Sequence, residues 1–96
     1  MRNLFLVAYD VSEPARLQKM HRTLLGFGDP IQYSIFLSCL SRQEKLLMVA
    51  AVREVLNERE DRVIVVDLGP AEGRGESSVE FLGRRLELGD RRAIIV

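Results

Sequence analysis

The sequence predicts an α/β domain, a sheet whose strands alternate with two amphipathic helices. Three observations carry this expectation. Apolar runs of strand length recur at Leu4–Tyr9, Ile31–Leu40 and Val63–Leu68. Helix-start signals follow the first two of them, SEPA at Ser12–Ala15 and SRQE at Ser41–Glu44. Beyond each signal the apolar residues switch to helical spacing.

The first strand is expected over Asn3 to Tyr9. Its unbroken apolar run suggests burial on both faces, and a single carboxylate, Asp10, ends it. Ser12 is the expected N-cap, with Pro14 in the first helical turn, where a missing N–H costs nothing. Leu17, Met20, Leu24 and Leu25 then mark a helix over about residues 13 to 25, stopped by Gly26 and Gly28. IQYSIFLSCL alternates: Ile31, Tyr33, Ile35, Leu37 and Cys39 fall on one face and Gln32, Ser34, Phe36, Ser38 and Leu40 on the other. The second set reads as a small, polar face except for Phe36. Ser41 and Glu44 form a capping box ahead of a second helix, about Arg42 to Asn57. Val63 to Leu68, apolar except for Asp67, is another strand. GPAEGRGESS reads as a loop, VEFLG as a short strand, RRLELGDRR as a charged connection and AIIV as a terminal strand. The chain is read as one domain over 1–96, with segment 79–96 completing a sheet, within the protomer or across a dimer.

Composition narrows the function classes. The 96 residues carry 14 basic and 14 acidic side chains, so no global positive charge announces nucleic acid; only clustering on one face would. Cys39 is the only cysteine, which rules out an intrachain disulfide and fits a reducing compartment. The apolar start is too short for a signal peptide, and no run approaches a membrane span. A cytoplasmic protein without a membrane partner is expected. With both helices on one sheet face, the other would be a large bare apolar patch, so a partner copy is expected to cover it. AIIV, an apolar edge, is expected to pair with a sheet, that of the partner included.

The motifs YDVS at Tyr9–Ser12 and IQYSIF at Ile31–Phe36, the latter beginning twenty-one residues after Asp10, together with the SRQE-capped helix, resemble the CRISPR-associated protein 2 family. The resemblance covers nearly the whole chain. It implies a ferredoxin-like βαββαβ sandwich with an extra C-terminal strand and a sheet-face homodimer. It also implies a nucleic-acid-binding component of CRISPR spacer acquisition, partnered with the CRISPR integrase subunit. A metal-dependent endonuclease activity on RNA or DNA goes with it. The substrate class extends from duplex DNA to single-stranded RNA. A βαββαβ fold needs two strands between its helices, and Phe27 to Leu40 is short for that. Either a brief strand near Asp29–Gln32 turns into a longer one, or one bent strand serves for both.

Through the resemblance, Asp10 becomes the expected catalytic and metal-binding acid. Two readings of it stay open. As an aspartate between strand and helix it can bond backbone N–H groups in an Asx-turn. Alternatively, a two-fold axis near the first strand would bring two Asp10 carboxylates together, and a shared Mg²⁺ would relieve their repulsion. Arg16, Lys19 and Arg22 form a basic patch on the first helix; Arg84 and Arg85, with Arg91 and Arg92, form a second set of basic pairs. Either is suited to phosphate oxygens or simply to solvent. Tyr9, Gln32, Ser34 and Phe36 are expected in support, by packing or by positioning water. His21 reads as an ordinary helix residue and Cys39 as a small buried apolar group. The family often has a basic residue where Pro30 stands here, which removes one phosphate contact. GRG at Gly73–Gly75 is too short a signal for a phosphate loop. The alternatives are a non-catalytic dimeric scaffold bridging integrase subunits on DNA, and a small-molecule regulatory domain of the same fold.

Overall fold

The computed structural model describes residues 1–84. The elements are β1 (Asn3–Asp10), α1 (Pro14–Leu25), β2 (Asp29–Gln32), β3 (Ile35–Leu40), α2 (Arg42–Val55), β4 (Arg62–Pro70) and a one-turn helix, α3 (Arg74–Ser77). The sheet is antiparallel with order β2-β3-β1-β4. This is the ferredoxin-like βαββαβ arrangement. β2 is indeed brief: Asp29–Gln32 pairs with β3 across a two-residue turn, Tyr33 and Ser34. Ser34 sits in the left-handed region, at φ 67°, which lets so short a turn reverse the chain.

Along β3 the expected alternation holds, but the character of one face differs from the expectation. Phe36, Ser38 and Leu40 are buried, and Phe36 and Leu40 join the core beneath the helices. The face read as small and polar is therefore the main core face of β3. Gly28 packs closely over Ser38; a Cβ at Gly28 would overlap Ser38 Oγ and the Leu37 carbonyl oxygen. Leu37 and Cys39 point to the opposite face, where Cys39 is half-buried rather than buried.

The core under the helices joins Phe5, Val7 and Tyr9 of β1 to Met20 and Leu24 of α1 and Met48 and Val52 of α2. Helical spacing and strand alternation together put these residues on facing surfaces. Ser41 and Glu44 form the capping box at α2, with Glu44 N–H donating to Ser41 Oγ at 3.1 Å and Ser41 N–H to Glu44 Oε1 at 2.8 Å. At α1 the cap is Glu13, not Ser12: its Oε1 accepts from Arg16 N–H at 2.8 Å. A longer acid reaches the same orphan donor from one position later.

The second sheet face is covered in part. The segment after β4 folds back, so Val79 and Leu68 pack with Leu4 and Leu37. A Cβ at Gly75 would lie 2.7 Å from the Gly69 carbonyl oxygen and 3.0 Å from Leu4 Cβ, so only glycine allows this approach. The loop expected over GPAEGRGESS thus contains α3. VEFLG, expected as a strand, has no regular structure up to Arg84. The remaining expectations for the tail, including the AIIV strand and Arg85, Arg91 and Arg92, fall outside the described residues. Toward the other end of this face Ile64 is 50% exposed and Val66 is 40% exposed, while Leu6, Ala8 and Ile35 are half-buried. β4 is therefore apolar on both faces but buried on only one.

Candidate nucleic-acid site at the end of β1

β1 ends at Asp10, and alternation decides where its last side chains go. Phe5, Val7 and Tyr9 enter the core under the helices. Leu4, Leu6, Ala8 and Asp10 consequently share the opposite face. Asp10 is exposed, and among the described residues its carboxylate makes no hydrogen bond or ion pair. The Asx-turn reading is not realised. Asp10 stands at the rim of the uncovered apolar patch.

Tyr9 and Phe36 lie on the other side of the sheet, so they cannot meet Asp10's carboxylate. Their rings are 6.2 Å apart, and the Tyr9 hydroxyl lies 3.2 Å from His21 Nδ1. The His21 ring stands edge-on to Phe36 at 5.3 Å. Burial pushes the Tyr9 hydroxyl above its ordinary pKa. The three side chains form one cluster that joins α1 to β1 and β3. His21 is thus more than an ordinary helix residue, although neither its position nor that of Tyr9 reveals the pairing. Ser34 reaches this end of the sheet through its backbone, accepting from Tyr9 N–H at 3.0 Å. Gln32 is exposed at the end of β2.

The basic patch of α1 is divided. Arg16 turns toward the α2–β4 turn, donating from Nε to Asp61 Oδ2 at 2.8 Å and from Nη2 to Asp61 Oδ1 at 3.1 Å. Glu60 Oε1 lies 3.2 Å from Nη2, and Glu13 Oε1 lies 4.0 Å from Nη1. The Asp61 side chain has no exposed surface, and Asp61 Oδ2 also accepts from Asn57 N–H at 2.9 Å. The fork with Arg16 holds the Asp61 carboxyl below its ordinary pKa range. Arg16 is therefore structural here, ringed by acids that would repel a phosphate. Lys19 and Arg22 are exposed, as is Arg84.

Register supplies what spacing could not. Asp10 is directly opposite Arg62 in the β1–β4 ladder, which places the two side chains on one face. Arg62 is exposed and forms no ion pair among the described residues. On Asp10's other side the β1–β3 register runs through Ala8 opposite Ile35. The bond from Tyr9 to Ser34 then extends it to the turn carrying Tyr33, which is 84% exposed. Tyr33, Asp10 and Arg62 thus belong to three adjacent strand ends. No group of three His, Cys, Asp or Glu side chains able to hold a metal occurs among the described residues. The donor chemistry of Asp10 suits a hard divalent cation, but one chain offers one carboxylate, so a second copy would have to complete the set.

The fold and this strand end define a small ferredoxin-like sandwich with an acid at the tip of its first strand. The comparisons with known proteins agree. The family model for CRISPR associated protein Cas2 matches residues 3–73, and the chain belongs to that family. A CRISPR-associated endoribonuclease Cas2 from Geobacter sulfurreducens is 36% identical over the full length of both chains. CRISPR-associated endoribonuclease Cas2 1 from Rhodospirillum rubrum is 33% identical, covering 96% of this chain and 89% of its own. Among solved structures, Streptococcus pyogenes Cas2 superposes with a TM-score of 0.72 at 24% identity, over 83% of this chain and 99% of that one. The hypothetical protein TT1823 from Thermus thermophilus gives 0.78 at 24% identity, over 92% and 99%. At that identity the two likenesses speak for the fold. Among the described residues, no helix is long and apolar enough to cross a membrane.

Proposed function

We propose that two copies of this chain form a nucleic-acid-binding component of CRISPR spacer acquisition that cleaves phosphodiester bonds, acting in the cytoplasm beside the integrase subunit. The observation that carries this reading is Asp10: an exposed, unpaired carboxylate at the end of β1, on the sheet face that the helices leave open. A two-fold contact through that face would set two Asp10 side chains near one axis. Relatives named endoribonucleases support cleavage of RNA. When bound between the two carboxylates, Mg²⁺ would supply a nucleophilic water at neutral pH and offset charge on the phosphodiester. The chain's own contribution is to hold Asp10 on the end of a strand inside a four-stranded sheet, on the face that the helices leave open. Lys19 and Arg22, with Arg84 and Arg85, are the further phosphate-contacting candidates.

The test is Asp10→Asn, which keeps size and removes charge. Mg²⁺-dependent cleavage should fall steeply while binding and dimerisation persist. Undiminished cleavage by the purified variant would overturn the assignment of Asp10. One observation favours a second reading, a DNA-bridging scaffold without catalysis: among the described residues no group of three His, Cys, Asp or Glu side chains able to hold a metal includes Asp10. That reading expects no cleavage by the parent above a contaminant control, and normal spacer integration by Asp10→Asn. Membership of the Cas2 family leaves the small-molecule regulatory alternative without support.

A further inference from the structure

We propose that Tyr33 and Arg62 are substrate-contacting residues that flank Asp10, Tyr33 stacking on a nucleobase and Arg62 gripping a backbone phosphate of the same strand. The inference rests on the reading that nucleic acid meets this end of the sheet.

Three relationships carry it. First, the sheet order places β1 between β3 and β4, so Asp10 has the β2–β3 turn on one side and the start of β4 on the other. Neighbouring strands lie about 4.8 Å apart, which puts both flanking positions within reach of one nucleotide strand crossing the sheet end. Second, Tyr33 is 84% exposed at the tip of a turn that Ser34 holds in a left-handed conformation, tied to β1 through the Tyr9–Ser34 bond. An aromatic ring offered to water on a fixed turn contributes little to a core. It is suited to stacking on a base, whose π-face is common to all sequences. Third, Arg62 is exposed directly opposite Asp10, and among the described residues neither side chain has an ion-pair partner. The neighbouring Arg16 is already engaged by Asp61 and Glu60, whereas Arg62 forms no ion pair among the described residues. A guanidinium beside a carboxylate at a phosphodiester would hold the anionic backbone where the carboxylate alone would repel it. Stacking requires an unpaired base, so the arrangement favours a single-stranded segment at Asp10.

The experiment measures binding of a fluorescent single-stranded oligonucleotide and of the matching duplex across a salt titration. The proteins are the parent and the variants Tyr33→Ala, Tyr33→Phe, Arg62→Gln, Arg62→Lys and Asp10→Asn. Tyr33→Ala should weaken single-strand binding roughly tenfold and leave duplex binding little changed, with Tyr33→Phe restoring it. Arg62→Gln should weaken binding and reduce the salt slope, and Arg62→Lys should keep the slope. Both positions are exposed, so circular dichroism should match the parent. Binding equal to the parent for Tyr33→Ala and Arg62→Gln at every salt concentration would overturn the proposal. So would a change of oligomeric state with binding per dimer unaltered. If Asp10→Asn still cleaves while Tyr33→Ala binds poorly, the catalytic assignment fails and these contacts stand.

Discussion

Arg16 and Asp61, 45 residues apart, form a two-pronged ion pair at 2.8 and 3.1 Å, with the aspartate side chain wholly buried. The pair joins the start of α1 to the residue preceding β4. Since Arg62 follows at once, the same fork fixes where β4 begins and hence which residue stands opposite Asp10.

Removing Arg16 would leave the Asp61 carboxylate, whose side chain has no exposed surface, without its bidentate charge partner. Arg16→Ala and Arg16→Glu are expected to lower the melting temperature well below that of a control, Arg53→Ala. Arg53 meets Glu58 at 3.8 Å with both side chains about 70% exposed, a pair of little consequence. Differential scanning fluorimetry of the three variants checks this. Equal melting temperatures would show that the fork does not anchor the turn.

Arg22→Glu should behave differently from Arg16→Glu. Arg22 is exposed on α1, so reversing it should leave stability intact and weaken duplex DNA binding in a salt-dependent manner. A binding isotherm unchanged from low to high salt would make Lys19 and Arg22 a merely solvated face.

Acid should weaken the fold through its paired carboxylates. Arg2 donates to both oxygens of Glu44, at 3.0 and 2.8 Å, and these bonds with the capping interaction hold Glu44 at about 2, below its ordinary 4.5. Asp61 and Glu13 are also held low, chiefly by Arg16 through its side chain and its backbone N–H respectively. A depressed folded-state pKa means that the stabilisation is complete above the unfolded value and is lost as pH falls toward the folded one. Stability should therefore decline from about pH 4.5 toward pH 2. Arg2→Gln should flatten part of that decline; urea titrations at several pH values read it. An unaltered profile in the variant would remove Glu44 from the account.

The open end of the second sheet face should be a dimer contact. Ile64→Lys, introducing a charge where a half-exposed apolar side chain stands, should weaken self-association by about tenfold or more, since burying one such side chain is worth roughly 1.5–3 kcal/mol. Sedimentation equilibrium gives the constant. A parent protein that is a folded monomer at micromolar concentration would refute the contact.

Gly28→Ala should cost about 3 kcal/mol, because the added methyl group meets Ser38 and the Leu37 carbonyl rather than a flexible side-chain end. Chemical denaturation measures it. A loss no larger than the ~0.5 kcal/mol of an ordinary surface change would mean that β3 can shift to make room.

Much of the fold was legible because its signals are local. The capping box at Ser41 and Glu44, the apolar run before Asp10 and the helical spacing of Met20 and Leu24 each depend on a few neighbouring residues, and each forms as its pattern implies. The pair of motifs around Asp10 and Ile31 was enough for the family. The acid at the end of β1 was legible for the same reason: a charge closing an apolar strand is visible in one dimension. Where the sequence misled, the deciding contact was distant or the geometry unusual. The turn with Ser34 at positive φ decides between one bent strand and two, and packing of Phe36 and Leu40 under the helices makes the face read as small and polar a core face. Arg16 looked like part of a basic stripe until Asp61 closed on it. The opposition of Asp10 to Arg62, with Tyr33 on the adjoining strand end, arises from antiparallel register between segments joined by long connections. Periodicity records which face of a strand is apolar, but strand pairing depends on side chains that meet only after the chain has folded, so the tertiary structure alone decided it.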